Sequence, residues 1–193
     1  MISEVTDPYH PVFHRFFPVF DNEKYPTSTV PKLQIAEDLM IVAMCSGGLP
    51  DVEADLSAAS KQGIRIYSLK EDPLNPRFLG EWDTGVPHSE GVHRFMYNGG
   101  RYVHLSATCP SFEGMIYRIV DIADPSAPVE AGRWWAPHQF ADGYPGRTYD
   151  PHAGHHPEFM NKGWMHGPAY VIGDRAYLGY GGDGLYILDV SDV

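Results

Sequence analysis

The chain has 193 residues, enough to bury one substantial core, and 43% of them are hydrophobic. Its 14 Lys and Arg against 25 Asp and Glu give a net charge of -11, which argues against nucleic acid or an anionic membrane as a partner. No apolar run reaches the length of a membrane span, and 2 cysteines do not make a disulfide framework. The first residues lack the pattern of a secretion signal, so we expect a cytoplasmic, reduced protein; the alternative is a leader that has been removed.

Residues 1–29 are rich in proline and aromatic side chains, and we interpret them as an N-terminal arm. The arm should be largely irregular, with one strand within 12–20, and should pack against the side of the domain that follows. The alternative is that this strand closes the last sheet of the chain.

Two units of four strands are predicted next, at 30–83 and 84–135. In the first unit a tight turn at Glu37-Asp38 and a polar insertion at 46–62 separate strands. In the second, Asn98-Gly99-Gly100 is a hairpin signal. The predicted strands are 32–36, 39–44, 64–69 and 77–82 in the first unit, and 92–97, 101–108, 116–122 and 129–135 in the second.

The last two strands of each unit share a motif. Residues 114–135 read GMIYRIVDIADPSAPVEAGRWW, in which apolar alternation is broken by an Asp-Pro turn. A second copy lies at 63–82, and a third begins at Gly184 as GLYILDVSDV. Copies recurring at a spacing of about 50–60 residues indicate an array of repeats. The third copy belongs to a partial unit at 165–193, with strands at 166–172, 175–180 and 184–190, and a long insertion at 136–164 precedes it.

This motif, Gly-apolar-x-Ile-apolar-Asp-(Val/Ile)-x-Asp-Pro-x-x-Pro, resembles the LVIVD repeat family of β-propellers. The resemblance implies an all-β propeller of four-stranded antiparallel blades, of which this chain supplies about three. Three blades do not close a ring, so we expect another chain or a missing C-terminal part to complete it. The chain is also similar, in architecture and histidine content only, to the selenium-binding-protein and methanethiol-oxidase propellers, which hold copper through histidines.

In such a meander the long connections share one face of the propeller. These are 46–62, 109–113 and 136–164, whereas the turns on the opposite face are tight. A rigid scaffold that carries its elaborated loops on one face is expected to carry a site there.

Histidines cluster toward that face. His88 and His93 flank the start of one inner strand, His166 starts another, and a run with His152, His155 and His156 feeds the second. Imidazole is the commonest metal ligand, so we predict a divalent transition metal (Zn, Fe, Cu or Mn) held by His88, His93, His156 and His166. We choose His156 within its run because Pro157 restricts it to extended backbone. The alternative is that these side chains line the channel and hydrogen-bond to water or backbone.

Three further residues are candidate catalytic groups at the same mouth. Glu90 lies between His88 and His93 and is a candidate ligand, orienting group or general base; Asp150 is a second carboxylate in the long insertion. Arg94 follows His93, and it either neutralises an anionic substrate or forms a structural ion pair.

Two functions from different classes remain open on these residues. The first is a metal-dependent enzyme acting on a small, partly apolar or aromatic organic substrate, with hydrolytic, lyase and oxidative chemistry unresolved. The second is a non-catalytic binding module whose metal is structural or adventitious. A third possibility is that the chain is one half of a hetero-oligomer with its site across the seam.

Overall fold

The computed structural model describes residues 2–46, 59–87, 89–140 and 164–193, and β-strands are the main regular structure of this part of the chain. Its helical structure consists of short 3-10 turns such as Pro137–Gln139 and Gly181–Asp183. In the described residues no helix has the length and apolar character that a membrane span requires. The all-β prediction is confirmed. The strands are β1 (Ile2–Glu4), β2 (Val12–Arg15), β3 (Ser28–Thr29), β4 (Leu33–Ala36), β5 (Leu39–Ser46), β6 (Gly63–Ser68), β7 (Arg77–Asp83), β8 (Val92–Met96), β9 (Tyr102–Thr108), β10 (Met115–Asp121), β11 (Val129–Trp134), β12 (Tyr170–Ile172), β13 (Arg175–Gly179) and β14 (Leu185–Asp189).

The first blade is organised around β5, which pairs with β6 on one side and with both β3 and β4 on the other. Between β3 and β4 the carbonyl of Lys32 accepts a hydrogen bond from the Ala43 amide at 2.9 Å, so this interrupted pair acts as one inner strand. The sequence of β5, LMIVAMCS, is apolar on both faces because both faces are covered. The outer strand, β7, pairs with β6.

The second blade is a simple meander in the order β11-β10-β9-β8, and the third has the order β12-β13-β14. All the pairings are antiparallel, as predicted for propeller blades. The largest difference from the predicted bounds is in the third blade, whose inner strand begins at Tyr170 instead of His166. Pro168 explains the difference, because proline has no N–H to donate to a ladder.

The aspartates of the repeat hold the turns between the outer strands. The Oδ1 atom of Asp72 accepts the Leu74 amide at 2.9 Å, and Oδ1 of Asp124 accepts the Ser126 amide at 2.9 Å. Side-chain hydrogen bonds, from Asn75 to Asp72 and from Ser126 to Asp124, lower the pKa of both carboxyl groups, and these backbone hydrogen bonds act in the same direction. The aspartates are therefore structural residues of the turns.

Neighbouring blades pack face to face through two apolar clusters. Because side chains alternate along each strand, one face of the second blade contacts the first blade and the other face contacts the third. The interface of blades one and two contains Ile41, Ala43, Ile64, Ile66, Trp82, Val92, Phe95, Tyr97, Val103, Leu105, Ala107, Val120 and Ile122. The interface of blades two and three contains Tyr117, Ile119, Ala136, Met165, Ala169, Ala176, Leu178 and Tyr180.

Polar side chains of the first blade also reach the inner edge of the second. The Nε2 atom of Gln34 donates to the Phe95 carbonyl at 2.9 Å, and its Oε1 atom accepts the backbone amide of Tyr97 at 2.5 Å. The side chain of Gln34 therefore substitutes for a neighbouring strand along β8. Glu37, held at a φ of 50° in the first hairpin turn, accepts the Gly100 amide at 2.9 Å. These bonds fix the inner strands of adjacent blades relative to each other.

The N-terminal arm is more ordered than the single strand we predicted. Besides β2, which lies within 12–20, it contains β1 as the antiparallel partner of β2, and β3, which extends the first blade. Phe17 and Val19 pack against the open face of that blade beside Tyr67, whose hydroxyl donates to the Val19 carbonyl at 3.1 Å. The arm therefore covers part of the face of blade one that points away from blade two.

His104 makes the stability of the second blade sensitive to pH. It lies on β9 with Nδ1 at 2.7 Å from the Tyr117 hydroxyl, and burial lowers the pKa of His104 to about 4. The unfolded chain takes up a proton near pH 6.5 and the folded chain only near pH 4, so stability falls as pH is lowered through this window.

We expect the free energy of unfolding to drop by about 3 kcal/mol more between pH 7 and pH 4 in the native protein than in His104→Gln. Denaturant titrations at several pH values measure this difference. His10→Gln, at an exposed arm residue, is the matched control and should follow the native curve. Parallel curves for the native protein and His104→Gln would contradict the assignment.

Candidate functional site

Two of the predicted ligands meet where the inner strands of blades two and three begin. The imidazole rings of His93 and His166 stack with their centroids 4.8 Å apart and their planes at 27°. His93 lies at a β-bulge: Val92 pairs with Ala107 and Arg94 with Ser106, so His93 is the extra residue. A bulge re-aims the side chain it carries, and here it places the ring beside the neighbouring blade.

His166 is held through the residue before it. The Met165 side chain is fully buried, its amide donates to the Met115 carbonyl at 3.2 Å, and its carbonyl accepts the Ser106 hydroxyl at 2.6 Å. Both partners belong to blade two. The backbone entering β12 is therefore fixed to blade two at the position where it presents His166.

The surroundings of His166 favour a neutral ring. Burial, and then the positive charge of Arg94, lower the pKa of His166. The indole of Trp164 lies with its ring centroid 5.1 Å from that of His166. Neutral imidazole is the form that binds metals, so His166 keeps a lone pair available at neutral pH.

Arg94 points toward blade three. It pairs with Ser106, and paired residues project to the same side of a sheet; the Ser106 hydroxyl contacts Met165 of the third blade. No hydrogen bond or ion pair joins the half-buried guanidinium of Arg94 to a residue in the described ranges. Among the described residues it thus lacks the carboxylate partner that a structural ion pair requires.

Glu90 lies at the other side of the same mouth, next to blade one. The preceding residue, Ser89, accepts hydrogen bonds from the amide and hydroxyl of Ser46, at 3.1 and 2.6 Å. Burial raises the pKa of the Cys45 thiol, and the negative charge of Glu90 acts in the same direction. The Glu90 carboxylate is therefore within electrostatic range of Cys45 on the first blade.

The remaining predicted site residues, His88, His156 and Asp150, lie outside the described residues. Within the described ranges, no three His, Cys, Asp or Glu side chains are grouped so as to hold a metal ion. His93 and His166 are two candidate ligands, fewer than the three that catalytic zinc sites take from the protein. The part of the predicted site that lies in the described residues is therefore the pair His93 and His166, with Arg94 and Trp164 near His166.

Sequence reasoning missed the residues that hold this pair in place. Ser106 and Met165 carry no recognisable metal or catalytic signal, and only the blade-to-blade contact shows their role. A hydroxyl within the buried strand Tyr102–Thr108 was the available signal, since a buried polar group needs a partner.

Antiparallel blades packed face to face, with histidines at the ends of adjacent inner strands, define the class of protein as a β-propeller. The family model for the LVIVD repeat matches residues 117–135 and 170–193, so these two segments carry LVIVD repeats. These matches fall on the second and third predicted copies of the motif; the first copy forms the equivalent strands β6 and β7. A search of curated proteins found no match to this chain. The more distant similarity to selenium-binding proteins stays an expectation.

Proposed function

We propose that the protein is a metal-dependent enzyme whose site lies at the mouth of the propeller channel. The observation that carries the proposal is the convergence of His93 and His166 from separate inner strands to a ring separation of 4.8 Å. Both side chains come from the elaborated face, where a rigid scaffold presents its functional loops. A divalent Zn, Fe, Cu or Mn ion suits such nitrogen ligands.

The described residues fit such an ion in two respects. The lowered pKa of His166 keeps its ring neutral, and the anchoring of Met165 fixes the orientation of His166 before any ion arrives. A bound ion would polarise a substrate oxygen or activate water or O₂. In the proposal His88 and His156 complete the ligand set, and Glu90 and Asp150 serve as general base or orienting carboxylates.

The substrate in this proposal is a small organic molecule with an apolar or aromatic part. Trp164 supports this choice, because its indole ring lies beside His166 and offers a flat apolar surface. Arg94 supplies a positive charge at the same place. We further propose a cytoplasmic location, supported by Cys45 and Cys109, two buried thiols that are not joined in a disulfide.

Exposed apolar faces favour a second candidate function, that of an interaction platform. Blade three exposes Tyr170, Ile172, Leu185 and Ile187, and blade one exposes Leu33 and Ile35 beside a groove of about 610 Å³. We propose that further blades, from a second chain or a second half, cover these faces, since apolar patches of this kind mark interfaces. If the binding role is the only one, metal at the histidine pair is adventitious.

Metal analysis of protein purified without a His tag separates the two candidates. We expect stoichiometric transition metal in the native protein and its loss in the joint substitution His93→Ala and His166→Ala, since even the loss of a residue that only orients a ligand costs about 10–100-fold in affinity. His10→Ala with His14→Ala, on the exposed arm, is the control and should keep the metal. Native protein that folds and contains no metal after supplementation would leave only the binding module.

A further inference from the structure

Arg94 is a cationic group at the mouth whose role the metal does not explain. Its side chain lies on the same side of the sheet as that of Ser106, which holds Met165. Arg94 is half-buried, and its guanidinium has no hydrogen-bond acceptor among the described residues. A positive charge beside imidazole ligands opposes the binding of a cation. Because Arg94 is unfavourable for a metal ion alone, we expect its role to be the binding of a second, negatively charged ligand at the mouth.

The shape of the surroundings restricts what that ligand is. The guanidinium is a planar fork that matches a carboxylate with two parallel hydrogen bonds. The charge of Arg94 acts on His166, and the rings of His166 and Trp164, with centroids 5.1 Å apart at an angle of 60°, present flat unsaturated surfaces. Flat rings of this kind contact aromatic ligands by stacking or edge-to-face packing.

The charge of the chain restricts the ligand further. At -11 the protein repels polyanions such as nucleotides or polyphosphates over distance. A single guanidinium balances one negative charge, which is the charge of a monocarboxylate.

We propose that the mouth binds an aromatic monocarboxylate, with its carboxylate on Arg94 and its ring against Trp164 and the histidine pair. The proposal deepens the proposed function by naming the substrate class, and it rests on the same mouth. Binding of the carboxylate to Arg94 does not require the metal, so the proposals of a carboxylate site and of a metal site can be refuted independently.

Ligand-observed NMR with benzoate tests the proposal on the full chain, once after treatment with a chelator and once with Zn²⁺ added. Benzoate should bind in both states, and benzamide, which has the same shape without the charge, should bind roughly tenfold more weakly or worse. Arg94→Gln should weaken benzoate binding roughly tenfold or more, and Arg94→Lys should have a smaller effect.

Arg101→Gln is the matched control, since Arg101 lies at the other end of the same blade and pairs with Asp121 at 2.6 Å. It should leave benzoate binding unchanged. Equal binding of benzoate and benzamide by the native protein would overturn the proposal without any variant. Undiminished binding by folded Arg94→Gln, or no benzoate binding at all, would do the same. The metal content of the protein, measured separately, tests the proposed metal site.

Discussion

Replacing Arg118 with alanine should lower the free energy of unfolding by about 3–5 kcal/mol, because it removes one partner of a buried ion pair. Arg118 lies on β10 at the interface of blades one and two and is 4% exposed. Its guanidinium donates to the carbonyls of Thr84 and Thr108, at 2.8 and 2.6 Å, and to the Glu130 carboxylate. It also lies over the Trp82 ring, 4.4 Å from the centroid.

The cost is large because several groups lose their partners together. Two buried carbonyls would be left without this donor, and Glu130 would retain only Arg133, whose Nε lies 2.7 Å from it. The cation–π contact with Trp82 would also be lost, and such contacts are worth about 2 kcal/mol when desolvated. Denaturation can be followed by tryptophan fluorescence, to which Trp82 contributes as one of 4 tryptophans.

Arg101→Ala is the control for this experiment. Arg101 also pairs with a carboxylate of the same blade, that of Asp121, but its side chain is 59% exposed, so its removal should cost about 0–1 kcal/mol. A second check is Arg118→Met combined with Glu130→Met, which should be less destabilised than Arg118→Met alone. If Arg118→Ala costs no more than Arg101→Ala, the guanidinium does not hold the two blades together.

The sequence predicts the blades well because local rules decide them. Alternating apolar residues and the Asp-Pro turns place β6, β7, β10 and β11 within a residue or two of their observed bounds. The hairpin signals at Glu37-Asp38 and Asn98-Gly100 locate the turns for the same reason. β1 and β3 were missed because they are two or three residues long and depend on partners elsewhere in the chain.

The site is harder to predict because its geometry depends on contacts between blades. The sequence places His93 on an inner strand but does not reveal the bulge that re-aims it. Pro168 shortens β12, so that His166 sits on a connecting segment held by Ser106. The rings of His93 and His166 come together because blade two packs on blade three. The sequence of a single strand does not reveal this packing.

Gln139 is the second residue whose substitution should strongly lower the free energy of unfolding. Its amide is 1% exposed, and its Nε2 donates to the carbonyls of Glu113 and Met115, both at 3.0 Å. Its Oε1 accepts the Ala136 amide at 3.1 Å and the Tyr180 hydroxyl at 2.8 Å. All four hydrogen-bonding positions of the amide are therefore used, and they join blade two to blade three.

Gln139→Ala should destabilise the protein by about 3–5 kcal/mol, since it leaves buried donors and acceptors unpaired. Tyr180→Phe is the matched comparison and should cost about 1 kcal/mol, because it removes one donor and leaves the amide in place. Burial raises the pKa of Tyr180, so its hydroxyl stays protonated and donates at neutral pH. Denaturant titration of the two variants measures the ratio of these costs.

The effect of Gln139→Ala should reach the histidine pair through one shared acceptor. The Met115 carbonyl accepts both Nε2 of Gln139 and the amide of Met165, the residue before His166. Releasing this carbonyl should speed hydrogen exchange at the Met165 amide more than at the Ile66 amide in blade one, where Gln139 has no contact. Equal acceleration at the two amides would show a global loss of stability and no specific link from Gln139 to the mouth.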